Sequence, residues 1–168
     1  MSEIAFAVRG FLTVRRSSLR IPLRGSLFIH TGLGSGVFTG DLTLAQTSLR
    51  RMVLGFRVLD VAVRITAESP VVGHLDEAGR LVAAVAVNAV LDRLRLCGRT
   101  VLSGGRCHTA THAVVPLGSR PDFDLAQGGR LTGSYHRPPF TGGSWVTPLV
   151  NLLAAGPGNA VVIDLIPA

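Results

Sequence analysis

Thr147-Pro148-Leu149-Val150-Asn151-Leu152-Leu153, followed by Gly156-Pro157-Gly158-Asn159, is the one stretch of this chain that abandons a period of two and spells a helix with both ends marked. Thr147 suits the capping position, and Pro148 suits the first turn, where its missing N–H would have no partner anyway. Gly156 offers a left-handed stop and Pro157 forbids continuation. Leu149, Leu152 and Leu153 share a face, so the helix is expected to press on something apolar. On either side the chain reads as strand. A single helix set before the last strand implies a sheet with an end to cover.

Working outward, strands are expected at Glu3–Val14, Arg20–Thr31, Val37–Leu44, Val71–Asp76, Arg80–Leu91, His108–Pro116, Arg130–Arg137 and Ala160–Ile166. A longer segment, Arg51–Ala67, carries Gly55 as a bulge or bend. Glu77-Ala78-Gly79 signals a tight hairpin. Eight or nine strands with short connections predict an all-β fold. The expected form is an antiparallel, barrel-like meander with one short helix before the final strand, and residues 1–168 form a single domain. Leu81–Val90 is apolar on both alternate sets, whereas a half-exposed antiparallel strand alternates cleanly. Its second face therefore needs a cover: another sheet, a second subunit in a homodimer, or an apolar ligand in a lumen.

The composition narrows the function classes. The chain is 47% hydrophobic and 16% charged, with a mean hydropathy of +0.42. No apolar run approaches the roughly 20 residues of a membrane-spanning helix, and one Trp and one Tyr are too few for the aromatic girdles of a membrane barrel. Met1-Ser2-Glu3 opens on an acid and Arg9 interrupts the apolar stretch that follows, so the expected location is cytoplasmic. All 17 basic residues are Arg and the formal charge is +7. They are scattered singly or in pairs, and aromatic residues make up 5%. The reading is arginine usage of a GC-rich genome, without a nucleic-acid partner.

No catalytic motif stands out. Gly32–Gly36 looks like a phosphate loop but leads into a strand, which makes it a hairpin turn. Cys97, Cys107, His108 and His112 lack the close pairing of zinc ligands, so no metal is expected. The two cysteines either close a hairpin or stay reduced. Ser103 and Ser134 sit in no nucleophile elbow.

What remains is a set of polar residues inside apolar patterns. Asp60 and Asn88 interrupt apolar strands and are the candidate catalytic residues. Asp41, Arg64, Tyr135, His136, Trp145 and Leu149 are the candidate substrate-binding residues, the last two from the helix-bearing segment. Asp60 and Arg64 share a strand face about 13 Å apart, so each needs water or a partner on another strand.

The C-terminal third resembles a family of uncharacterised, usually secreted, actinobacterial β-rich proteins. The likeness rests on Leu131-Thr132-Gly133-Ser134-Tyr135, Pro138 to Gly142, Val146 to Leu153 and Gly156 to Asn159, with a weaker match from Gly36 to Leu44. In that family a cysteine follows the Phe-Thr-Gly step, and the resemblance implies a disulfide to the position of Cys107. Here Gly143 replaces it. The resemblance carries no activity.

Two functions are expected from these features. One is a barrel enclosing an apolar polyketide- or terpenoid-like molecule as a cofactor-independent cyclase or isomerase of secondary metabolism, such as antibiotic biosynthesis, where shape supplies much of the catalysis. The alternative is a non-catalytic lipid-binding or cell-envelope β-protein.

Overall fold

The computed structural model describes residues 2–32 and 36–168; most of the Gly32–Gly36 turn lies outside the described residues. The chain forms β1 (Ser2–Val14), β2 (Leu19–Thr31), β3 (Val37–Leu44), β4 (Thr47–Val53), β5 (Phe56–Ala67), β6 (Val71–Leu75), β7 (Leu81–Leu96), β8 (Arg99–Thr109), β9 (Ala113–Gly118), β10 (Gly129–Arg137) and β11 (Phe140–Thr141). A single 3-10 turn (Ser144–Val146) leads into α1 (Thr147–Ala154), and β12 (Gly156–Pro167) ends the fold.

Eight of these strands close on themselves in the order β1-β2-β3-β6-β7-β9-β10-β12, every pairing antiparallel. This is the expected meander, closed as a barrel. The remaining strands form a wing. The second half of β7 leaves the barrel and pairs with β5 on one edge and β8 on the other; β4 pairs with β5 and β11 with β8.

Period two places alternate side chains inside the barrel. The inward sets include Phe6 and Val8 of β1, Leu27 and Ile29 of β2, Leu81 and Ala83 of β7, and Ile163 and Leu165 of β12, all buried. They fill the interior. Deep in the barrel the largest apolar void is about 20 Å³, room for roughly one water and without a polar group to hold it. The opposite set of β7 is not covered within the chain: Val82, with Val72 of β6 and Val114 of β9, lies exposed on the outer barrel face.

Three expectations need correction. The long strand over Arg51–Ala67 is the β4–β5 hairpin. Leu54 (φ 52°) and Gly55 (φ 80°) both take positive φ, which gives a tight turn of the mirror-image type that suits strand twist. Leu54 disguised it, because side-chain residues rarely adopt that backbone. The segment from Arg99 to Arg106 is part of β8, hidden by its polar and glycine-rich sequence, and Cys97-Gly98 makes a second such turn (φ 50° and 81°). Of the two alternatives for the cysteines the unpaired one holds: both are free, because Cys97 lies in that turn while Cys107 pairs with Leu91 near the other end of the hairpin. The helix caps also differ. Thr147 already has helical backbone, and its buried Oγ1 has no partner; the chain leaves α1 through an extended Ala155 before Gly156 takes its positive φ of 123°.

Close strand approach depends on glycine at particular inward positions. A Cβ on Gly133 would run into the carbonyl oxygen of Pro116 on β9, where β9 and β10 meet. Backbone cannot yield as a flexible side chain can, so Gly133→Ala is expected to lower stability by about 1–3 kcal/mol. The exposed neighbouring change Thr132→Ala should stay within about 0.5 kcal/mol of the parent. Urea denaturation midpoints of the two variants check this.

Candidate functional site

An apolar space several times larger than the void in the barrel core lies at the end of the barrel. The wing leans over the barrel end, and α1 closes the other side. The result is a cavity of about 80 Å³, open to solvent and lined by 15 apolar residues and Arg137. Leu59, Val61 and Val63 of β5 supply the wing wall, as their alternation requires. Val14 and Ile21 supply the barrel end, and Leu149, Val150 and Leu153 the helical roof.

The roof is lightly anchored. Val150 is buried, whereas Leu149, Leu152 and Leu153 are all exposed, Leu152 at 65% the most. The side chain of Asn151 holds α1 to β11 as a strand would. Its Oδ1 accepts from the Phe140 N–H at 2.6 Å and its Nδ2 donates to the Phe140 carbonyl at 3.1 Å. Asn159, fully buried, ties β12 to the β1–β2 turn by accepting from the Arg15 N–H at 3.1 Å.

Arg137 is the one ionisable group among the described lining residues of this cavity. It follows Leu131, Gly133 and Tyr135 on the inward set of β10 and is only 5% exposed. Its Nη2 donates to the Tyr135 hydroxyl at 2.7 Å. Both side chains also face a second void of about 20 Å³ that lies between this cavity and the barrel core, together with Thr109. Burial pushes the Tyr135 phenol above its ordinary range, and the neighbouring Arg137 charge and hydrogen bond partly offset that rise.

The residues singled out from sequence do not assemble here. Asp60 faces away from the cavity, since Leu59 and Val61 on either side of it point in. It is buried between Arg93 (3.3 Å) and Arg50 (3.9 Å), a clamp across β4, β5 and β7. Arg64 pairs with Asp92 at 3.0 Å, where a bulge in β7 turns the strand. Both thus find the cross-strand partners that their spacing demands. Asn88 donates to Glu68 at 2.7 Å and accepts from the Thr109 hydroxyl at 3.4 Å. This puts it one residue behind the Tyr135–Arg137 void. Asp41 lies on the outer barrel face opposite His30, 3.3 Å away. His136 points outward, as it must if its neighbour Tyr135 points in. Trp145 is 71% exposed. Of the eight, Leu149 lines the end cavity and Tyr135 the adjoining void. Arg137 was overlooked because an arginine at a strand end reads as solvated; its parity with Leu131 and Tyr135 was the available signal.

Among the described residues no three His, Cys, Asp or Glu side chains gather as a metal-holding group. No described helix is long and apolar enough to cross a membrane. The class defined at this point is a closed eight-stranded antiparallel barrel with a filled interior and a roofed apolar cavity at its end. No protein-family model, curated protein or solved structure matches the chain.

Two outcomes follow from this geometry. Tyr135 is the chain's one tyrosine, so the ultraviolet tyrosinate band reports it alone. It should ionise above the usual value of about 10, and higher still in Arg137→Met, because the opposing charge is then gone. A phenol raised in the folded state stabilises fully below its unfolded pKa. That contribution is lost as pH rises through the folded one, so stability should fall on the alkaline side.

The second outcome concerns the roof. A Cβ placed on Gly143 would lie 3.0 Å from Cys107 Sγ and 3.3 Å from its Cβ, close to disulfide spacing, and 2.8 Å from Thr147 Oγ1, a hydroxyl that must turn aside; Gly143 has an ordinary φ of −88°. Gly143→Cys is therefore expected to form a disulfide with Cys107. Burial raises the Cys107 thiol, so a disulfide-exchange reagent should be needed. Loss of two free thiols, with a monomer about 2 Da lighter and no dimer, checks the bond.

Proposed function

We propose that the end cavity binds an apolar small molecule and folds it for a cofactor-independent cyclisation or isomerisation. The supporting observation is the cavity wall itself: 15 apolar side chains and one buried cation beneath a half-anchored helix. Such a wall matches the mostly apolar pockets with few polar groups that hold small ligands. An open void of about 80 Å³ is smaller than most ligand sites, so a polyketide- or terpenoid-sized substrate requires α1 to swing outward.

Chemistry in such a site rests on confinement and on the Arg137–Tyr135 pair. Holding the reacting ends of a flexible chain together can remove roughly 7–11 kcal/mol of barrier. A carbonyl oxygen that gains charge during ring closure would be stabilised by a guanidinium once the bound substrate has displaced water from the site. Asp60 and Asn88 serve this reading at one remove, Asp60 by clamping the wing and Asn88 through Thr109. The family likeness is compatible with it: the position of Gly143 against Cys107 is where the resemblance implies a disulfide, and here the roof is left unlocked. The alternative, a lipid-binding or envelope protein without catalysis, is favoured by the lack of a carboxylate or imidazole among the described lining residues.

A neutral solvatochromic dye should bind the protein and be displaced by octan-1-ol. Ala154→Phe, which grows a ring into the cavity, should weaken the dye at least about tenfold, the loss of some 1.4 kcal/mol. Unchanged dye binding in that variant would move the site elsewhere. For the catalytic part, linear polyketide or polyene chains should give cyclic products of unchanged mass without added cofactor, as read by mass spectrometry. Binding without any such product favours the carrier.

A further inference from the structure

We infer that the ligand of the end cavity carries a carboxylate, seated on Arg137. This rests on the reading of that cavity as a small-molecule site and adds the chemistry of the ligand's polar end. The observation behind it is a charge without a counter-charge. Six ion pairs occur among the described residues, and each takes its carboxylate from Asp41, Asp60, Asp76, Asp92 or Asp164. Every arginine in them is much more exposed than Arg137. Arg137 alone is buried among apolar side chains with no acid within ion-pair distance among the described residues; its partner is the Tyr135 hydroxyl, a neutral group.

Burying an arginine costs free energy unless an opposite charge and several hydrogen bonds meet it. The guanidinium offers five N–H donors in a rigid fork, and Tyr135 takes one of them. A planar carboxylate matches such a fork with two parallel bonds, provided the side chain turns its free N–H groups toward the cavity, whose wall is otherwise apolar. Position agrees with charge. Arg137 ends the inward row of β10, where the cavity meets the smaller Tyr135 void. An anionic head can dock at this inner end while an apolar chain extends along Leu59, Val61 and Val63 toward α1. Tyr135 then acts as a positioning residue that orients the fork.

The test compares octanoate, methyl octanoate and octan-1-ol by isothermal titration calorimetry on the intact chain. Octanoate is expected to bind on the order of tenfold to a hundredfold more tightly than its methyl ester, the range for hydrogen bonds to a charged group. In Arg137→Met that preference should vanish while octan-1-ol affinity stays within about twofold. Tyr135→Phe keeps the cation but frees the fork, so the preference for the acid should shrink without vanishing. Equal binding of acid and ester to the parent protein overturns the inference, and this comparison holds even if Arg137→Met fails to fold. If octan-1-ol and the ester bind and the acid does not gain, the cavity is a neutral apolar site and only the carboxylate is wrong. If none of the three binds, the small-molecule reading fails with it.

Discussion

One strand, β7, belongs to two sheets at once, and the architecture follows from that. Leu81–Val87 pairs with β6 and β9 and closes the barrel; Val87–Leu96 pairs with β5 and β8 and carries the wing. A buried backbone must keep its hydrogen bonds on both edges, so the strand can change partners only where one neighbour ends as another begins. β6 and β9 stop near where β5 and β8 take over. The shift of register around Asp92 then turns the upper half, and Leu94 instead of Arg93 continues the buried row. Without this handover the barrel would end in open loops and there would be no wall to hold a cavity.

Polarity is distributed accordingly. The lower barrel is apolar and filled, the middle holds Tyr135, Thr109 and Arg137, and the top is an apolar cavity with the arginine at its base. The wing's charges lie on the far face, where Arg50, Asp60 and Arg93 join three strands. An eight-stranded barrel can either fill with its own side chains or keep a small lumen, and this one is filled. The larger apolar cavity lies instead at the rim, walled in part by strands that close nothing.

Much of this was readable from residue order. Leucines and valines at alternate positions marked the strands, and Pro148 with the leucines after it marked the helix. The short connections implied a meander. The missed elements share a cause: turns built on Leu54-Gly55 and Cys97-Gly98 depend on positive φ at a residue that disfavours it, a choice made by tertiary context. The candidate site was less readable. Polar residues inside apolar strands, such as Asp60, were chosen for being out of pattern, yet a buried ion pair across strands breaks the pattern just as a ligand group would. Tyr135 and His136 stand out together in the sequence, although neighbours on a strand face opposite ways. Arg137 respects the inward alternation by position and violates it by charge, a combination that single-residue hydropathy does not show.

The division of labour between barrel and wing has a further consequence for how such a chain can change. The β4–β5 hairpin and β8 enter as excursions from a barrel whose eight strands otherwise follow one another in order. Their lengths and side chains set the depth and shape of the rim cavity, while closure depends on other residues. Substitutions at Leu49, Leu59 or Leu96 therefore reshape that cavity without touching the strands that close the barrel. A lineage built on this plan can remodel its rim by editing two hairpins, with the inner barrel as a fixed inheritance.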